Sequence, residues 1–285
     1  MPQVRPPLLI SSLALLLLAP FARADLTVQT LQPYRQDRFY TATGLNPPKA
    51  FLGQAFDWSG VGQSTTTGTW ATMISPTYFL SANHFHPGTG ETLTFYQDNT
   101  TDHPHSYTVA AGGLAINSGG TTDLWLGQLT SPIPSADHIT SYPVLDLPTH
   151  SNYLGLEIYV NGKPNRVGRN NIDSFDTYSN TNIMLYDYNT LTGLGADEAY
   201  IEPGDSGGPS FYNAYGALAL VGLHFVNEGP VAPGLSSGDT FVPDYISQLD
   251  AAMVGDQVLT VAPEPAALSL LALGALSLLS RRRPR

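Results

Sequence analysis

Short runs rich in Thr, Tyr, Val and Phe alternate along this chain with clusters of Gly, Pro, Asn and Ser, and apolar positions at helical spacing are scarce. The runs fall at residues 50–58, 69–74, 92–96, 124–129, 156–160, 183–188 and 218–226. Runs of that length, bounded by turn formers, predict β-strands. Their spacing predicts an all-β domain, a sandwich or barrel. One late stretch differs: Tyr245, Leu249 and Met253 recur every four residues and predict a helix over residues 244–253. Residues 25–49, with Pro33, Arg35 and Arg38, show neither period and read as an N-terminal extension. No internal repeat is visible.

The two ends read as targeting segments. Arg5, an apolar run over residues 8–18 and Ala22-Arg23-Ala24 have the layout of a secretory signal peptide over residues 1–24. The mature chain is then expected to start near Asp25. At the other end, beyond a linker over residues 254–262, Pro263-Glu264-Pro265 precedes an apolar segment (266–279) and Arg281-Arg282-Arg283-Pro284-Arg285. This tail, residues 263–285, resembles the PEP-CTERM sorting signal of exported bacterial proteins. The resemblance implies an exosortase-like processing partner that cuts near Pro-Glu-Pro. An apolar helix over 266–279 would reach about 21 Å, short of the roughly 30 Å hydrocarbon core, so it suits a transient hold in the membrane. The expected destination is the bacterial cell surface, the outer membrane or the medium.

Setting the ends aside changes the charge picture. The whole chain carries 12 basic and 23 acidic residues, net −11. Six of the basic residues and Glu264 lie in the ends, leaving 6 basic against 22 acidic, or −16, on the body. Such a surface repels nucleic acid and anionic lipid. With no cysteine, disulfides and thiolate chemistry are excluded, and no metal or cofactor is expected.

The chemistry centres on Glu202-Pro203-Gly204-Asp205-Ser206-Gly207-Gly208-Pro209. A serine among glycines can turn tightly and present backbone N–H groups to a developing oxyanion. A serine hydroxyl needs a base, and a histidine follows an apolar run in Tyr78-Phe79-Leu80-Ser81-Ala82-Asn83-His84, with His86 a rival two residues on. A carboxylate should orient that base. Asp123 opens the run Asp123-Leu124-Trp125-Leu126-Gly127-Gln128-Leu129, whereas Asp98 and Asp102 sit in a polar loop.

Gly-Asp-Ser-Gly-Gly-Pro resembles the nucleophile loop of the trypsin/chymotrypsin serine peptidases, and the blocks ending in His84 and starting at Asp123 resemble that family's other two motifs. The order His84, Asp123, Ser206 is that of chymotrypsin. The resemblance covers residues 50–253. It implies two six-stranded antiparallel β-barrels with a short C-terminal helix, and hydrolysis of protein or peptide substrates through an acyl-enzyme. It also implies catalytic roles for His84, Asp123 and Ser206, with an oxyanion hole from the N–H groups of Gly204 and Ser206. An idle surface or matrix-binding protein on the same fold and an esterase-like hydrolase are the alternatives. The match extends to a substrate pocket of Tyr200, His224 and Phe225. Gly222-Leu223-His224-Phe225 resembles the glutamyl endopeptidases, which implies a preference for acidic residues before the scissile bond. Tyr200 stands where trypsin itself has an aspartate, so cleavage after Lys or Arg is not expected. In zymogen-type members the aspartate before the serine pairs with a new N-terminus beginning Ile-Val-Gly-Gly. This chain has no such sequence.

Overall fold

The computed structural model describes residues 25–41, 50–189, 193–227 and 235–262. Alternation decides which face a strand buries. In the strand Thr92–Tyr96, Leu93 and Phe95 are buried while Thr92, Thr94 and Tyr96 are partly exposed, as a strand covering a core with one face requires.

The first half holds β2 (Val61–Ser64), β3 (Trp70–Met73), β4 (Tyr78–Ala82), β5 (Thr92–Tyr96), β6 (Pro104–Thr108), β7 (Leu114–Asn117) and β8 (Thr121–Gln128), following a short β1 (Thr27–Val28). Strands β2 to β8 form an antiparallel sheet in the order β6-β5-β2-β3-β4-β8-β7. A bridge between Val109 and Leu129 and the bond from Thr130 N to Thr108 O bring β6 against β8, closing this sheet on itself. The second half holds β9 (Val144–Leu145), β10 (Glu157–Gly162), β11 (Arg166–Asn171), β12 (Ser174–Tyr178), β13 (Thr181–Asp187), β14 (Ala199–Tyr200), β15 (Pro209–Ala214), β16 (Ala217–Asn227), β17 (Ser236–Phe241) and β18 (Thr260–Val261). Its main sheet runs β11-β10-β15-β16-β17-β13-β12, with β9 beside β16 and β18 beside β9. Asn170 Nδ2 donates to the carbonyl of Asp187 at 3.1 Å, drawing β11 towards β13. The fold is thus two antiparallel β-barrels followed by a short helix, α2 (Ile246–Ala252), which a 3₁₀ turn over Val242–Tyr245 leads into. This is the expected architecture, with short strands added at the margins.

The barrels share a core. Trp58, Val61, Trp70, Leu80 and Leu124 of the first half belong to one apolar cluster with Phe211, Leu220, Leu223, Tyr245 and Leu249 of the second. The Trp58 and Phe211 rings meet edge to face, with centroids 5.7 Å apart. Because interiors pack at near-crystalline density, a seam of this kind fixes the relative position of the two halves.

Three expectations need correction. Residues 50–58 are not a strand: bonds from Gln54 N to Phe51 O and from Phe56 N to Gly53 O wind them into turns. Phe51 and Trp58 still reach the core from this coil, so the apolar run was real but its period was not strand-like. The linker contains β18, which pairs in parallel with β9. The N-terminal extension is built into the fold. Strand β1 pairs with β14, Thr27 opposite Tyr200. The short helix α1 (Pro33–Gln36) follows, and Arg35 donates to both oxygens of Asp197 at 2.7 and 2.5 Å. Hydropathy could not reveal this, because polar side chains and a distant strand make the attachment.

Arg38 ends that strap at the first barrel. Only 1 % exposed, it donates to Asn99 Oδ1 (3.1 Å) and to the carbonyls of Tyr96 (3.0 Å) and Asp98 (2.8 Å). Burial pushes its pKa down to about 10. Replacement by Ala would orphan these acceptors. We expect Arg38→Ala to cost about 2–4 kcal/mol in denaturant unfolding of the mature chain, well beyond a surface substitution.

Candidate active site

The nucleophile loop links β14 to β15. Its backbone needs left-handed geometry at Gly204 (φ 107°) and Gly207 (φ 79°), where a Cβ would be strained. At Gly207 a Cβ would also lie 2.7 Å from Ser81 Oγ and 2.9 Å from Ala82 N. The loop therefore sits hard against the end of β4, the strand that leads to His84. Four main-chain bonds hold its shape: Asp205 N to Glu202 O (3.0 Å), Gly208 N to Asp205 O (2.8 Å), Gly207 N to His224 O (2.9 Å) and His224 N to Gly208 O (2.9 Å). The amides of Gly204 and Ser206 make no internal hydrogen bond among the described residues. They are thus available to an oxyanion.

Strand pairing brings His84 and Asp123 together. Ala82 faces Leu124 across β4 and β8, which puts His84 beside Asp123. The backbone N–H of His84 donates to Asp123 Oδ1 at 2.9 Å. The ring Nδ1 lies 2.9 Å from Oδ2 and 3.0 Å from Oδ1. On its other side, Nε2 lies 2.9 Å from Ser206 Oγ. Asp123 is 6 % exposed, and its own N–H donates to Thr181 Oγ1 of the second barrel at 2.8 Å. Thr181 escaped the sequence reading, because only barrel docking brings it near the site.

Asp123, His84 and Ser206 thus form one hydrogen-bonded line. A carboxylate on Nδ1 fixes the tautomer that leaves Nε2 free to accept the serine proton. The rivals lie elsewhere. His86 stacks on Trp125 with centroids 3.7 Å apart, its Nδ1 3.0 Å from the Pro87 carbonyl. Asp98 binds Thr100 and His103 in its own turn.

The expected pocket residues fare differently. Phe225 is partly exposed, its ring 5.7 Å from those of both His84 and Tyr178. Tyr200 is buried in β14, 6.1 Å from the Tyr188 ring. His224 is fully buried, with Nδ1 2.8 Å from Asp239 Oδ1 and Nε2 3.1 Å from the Asn161 carbonyl. Both ring nitrogens are engaged inside the protein, so this imidazole has no donor left for a substrate carboxylate. The expected preference for acidic residues loses its carrier.

Asp205 faces inward. Its carboxylate is fully buried and accepts from the backbone N–H of Lys163 (2.7 Å) and of Glu202 (2.9 Å).

A hydroxyl–imidazole–carboxylate line across two antiparallel barrels defines the class: a serine endopeptidase of trypsin-like fold. The chain matches the Trypsin family over residues 50–246 and belongs to it. No curated protein matches the chain.

Burial raises the pKa of Asp205 to about 6. A carboxylate raised above its unfolded value of 3.8 favours folding most below that value, and the contribution fades as pH rises through about 6. The shift corresponds to roughly 3 kcal/mol. Relative to wild type, Asp205→Asn should therefore gain stability steadily between about pH 4 and pH 7. Paired thermal melts across that range measure the difference.

Proposed function

We propose that the protein is an exported serine endopeptidase in which Ser206 is the nucleophile, His84 the general base and acid, and Asp123 its orienting carboxylate. The unbroken 2.9 Å contacts from Asp123 through His84 to Ser206 carry this reading. Ser206 Oγ attacks the scissile carbonyl carbon while His84 Nε2 takes the hydroxyl proton. The N–H groups of Gly204 and Ser206 stabilise the oxyanion, and Asp123 stabilises the imidazolium. The imidazolium then gives its proton to the leaving amine, leaving an acyl-enzyme. Water, deprotonated by His84, cleaves the ester and restores Ser206.

Export rests on the signal-like segment 1–24 and the PEP-CTERM-like tail 263–285, both outside the described residues. An exosortase-like enzyme is the proposed processing partner, and the membrane hold is transient. No helix among the described residues is long and apolar enough to cross a membrane.

The chemistry is tested with a fluorophosphonate that labels an activated serine. Wild-type mature protein should label, and Ser206→Ala should not. His84→Ala should slow labelling and peptide turnover by several orders of magnitude with little change in melting temperature, because neither side chain is packed in the core. Labelling that survives Ser206→Ala would move the nucleophile elsewhere.

For specificity, the aromatic surface beside the base replaces the acidic reading. Tyr178, Phe225 and Val226 are partly buried over Ile183 and Leu185, and Phe225 adjoins His84. An apolar side chain before the scissile bond would cover this shelf. Phe225→Ala should raise KM for a Leu or Phe peptide about tenfold or more, since losing much of an aromatic contact costs about 1.5–3 kcal/mol. A Glu peptide should show a smaller change. Equal losses on both peptides would remove Phe225 from substrate binding.

A further inference from the structure

The ring of His224 lies between two acceptors. Asp239 Oδ1 faces Nδ1 at 2.8 Å and the Asn161 carbonyl faces Nε2 at 3.1 Å. A carbonyl can only accept. Asp239 Oδ1 also accepts the Tyr186 hydroxyl at 3.0 Å. With Asp239 ionised, both ring nitrogens face acceptors and each carries a proton, and we infer on that basis that His224 is a cation in a site with no solvent exposure.

The surrounding charges give that cation a purpose. Asp239 on β17 and Asp205 on the nucleophile loop are both fully buried, and Asp239 Oδ2 has no hydrogen-bond partner among the described residues. Tyr186 on β13 contributes a neutral phenol, held protonated by burial. Lys163, at the turn between β10 and β11, adds a second positive charge near Asp205, and its ammonium lies over the Phe85 ring at 5.7 Å. Two buried carboxylates thus face two cations. Removing either cation would leave an uncompensated charge in a dry interior.

The main chain of His224 is tied to the catalytic loop. It accepts from Gly207 and donates to Gly208, the two residues after Ser206. A Cβ at Gly208 would meet the His224 ring at 2.8 Å and the Asp205 carbonyl at 2.9 Å, so ring, loop and carboxylate are in direct packing contact. We propose that His224, as a buried imidazolium, is a positioning residue that holds the Gly204–Gly208 loop in its working shape from within. Loss of its proton at alkaline pH would then switch the enzyme off. The loop is held by resident groups, the Lys163 and Glu202 amides on Asp205 among them.

The sign follows from the geometry. A neutral imidazole has one N–H and can serve Asp239 or Asn161, not both. Deprotonation therefore breaks one bond and leaves Asp205 and Asp239 with one cation between them. Relief comes from moving Asp205, which carries Gly204 and Ser206 with it. The carboxylates hold the His224 pKa above its usual value against the opposing effect of burial. The stabilisation is accordingly complete below about pH 6.5 and is lost as pH rises through the raised value. His224 thus governs the alkaline side of the profile.

This inference rests on the serine-nucleophile reading, and one experiment separates the two. The second-order rate of fluorophosphonate labelling is followed from pH 5 to pH 10 for mature wild type, His224→Gln, Asp239→Asn and Ser206→Ala, each with a thermal melt. Wild type should lose at least tenfold in rate between pH 8 and pH 10 while still folded. His224→Gln should label at least tenfold more slowly at pH 7.5, with peptide kcat falling more than KM rises, and should show no alkaline limb. Asp239→Asn should move the limb at least one pH unit down. Nitrogen-15 NMR of wild type should show one imidazole protonated on both nitrogens at pH 8, a readout independent of every variant's folding. A wild-type rate that stays flat to pH 10, a folded His224→Gln enzyme at wild-type rate, or seven neutral imidazoles at pH 8 would each overturn the proposal. Labelling that persists in Ser206→Ala would overturn the nucleophile reading instead.

Discussion

The hydrogen bond from His84 Nε2 to Ser206 Oγ spans two barrels, and its 2.9 Å length depends on how those barrels dock. His84 and Asp123 come from neighbouring strands of the first barrel, while Ser206 stands on a loop of the second. A shift of an ångström would uncouple His84 from Ser206. The apolar seam joining Trp58 and Trp70 to Phe211 and Leu223 sets that distance. The Thr181 hydroxyl on the Asp123 amide pins the seam at the Asp123 carboxylate itself. The close fit of Gly207 against Ser81 and Ala82 pins it at the loop. Core packing is therefore part of the catalytic geometry.

The same economy governs charge. The mature body has 6 basic residues, and the five within the described segments all have partners within the protein. Arg35 binds Asp197, Arg38 the loop around Asp98, Arg166 Asp37, and Arg169 both Glu157 and Asp197. Lys163 lies near Asp205 and over Phe85. Cations used internally leave the outer surface acidic. That surface disfavours acidic peptides.

Asp205 shows how a charged loop can be stabilised locally. Two amides and the nearby His224 and Lys163 cations hold a carboxylate that burial alone would drive towards protonation. The N-terminal strap supports the same region from outside. Strand β1 pairs with β14 just before the loop, and Thr27 Oγ1 donates to Glu202 Oε1 at 2.7 Å. The extension thus props the approach to the nucleophile while its end is anchored at the first barrel by Arg38.

Sequence alone determined what local backbone and chain order dictate. The glycines around Ser206 made the nucleophile loop legible, and the three motifs, in the order His84, Asp123, Ser206, implied the two-barrel fold through their resemblance to the trypsin family. The run over residues 92–96 was legible as a strand for the same local reason. What depends on contacts between distant segments was decided only by the tertiary structure. Hydropathy could not tell that residues 50–58 coil into turns while still feeding Phe51 and Trp58 to the core. Nor could it tell that residues 27–38 are a structural strap, because their partners lie more than fifty residues away along the chain. His224 is the clearest instance. Its neighbours in sequence suggested a substrate ligand, but Asn161 and Asp239, 63 and 15 residues away, occupy both nitrogens and make it a buried cation. A side chain's chemistry follows from which groups face it, and that is settled by packing.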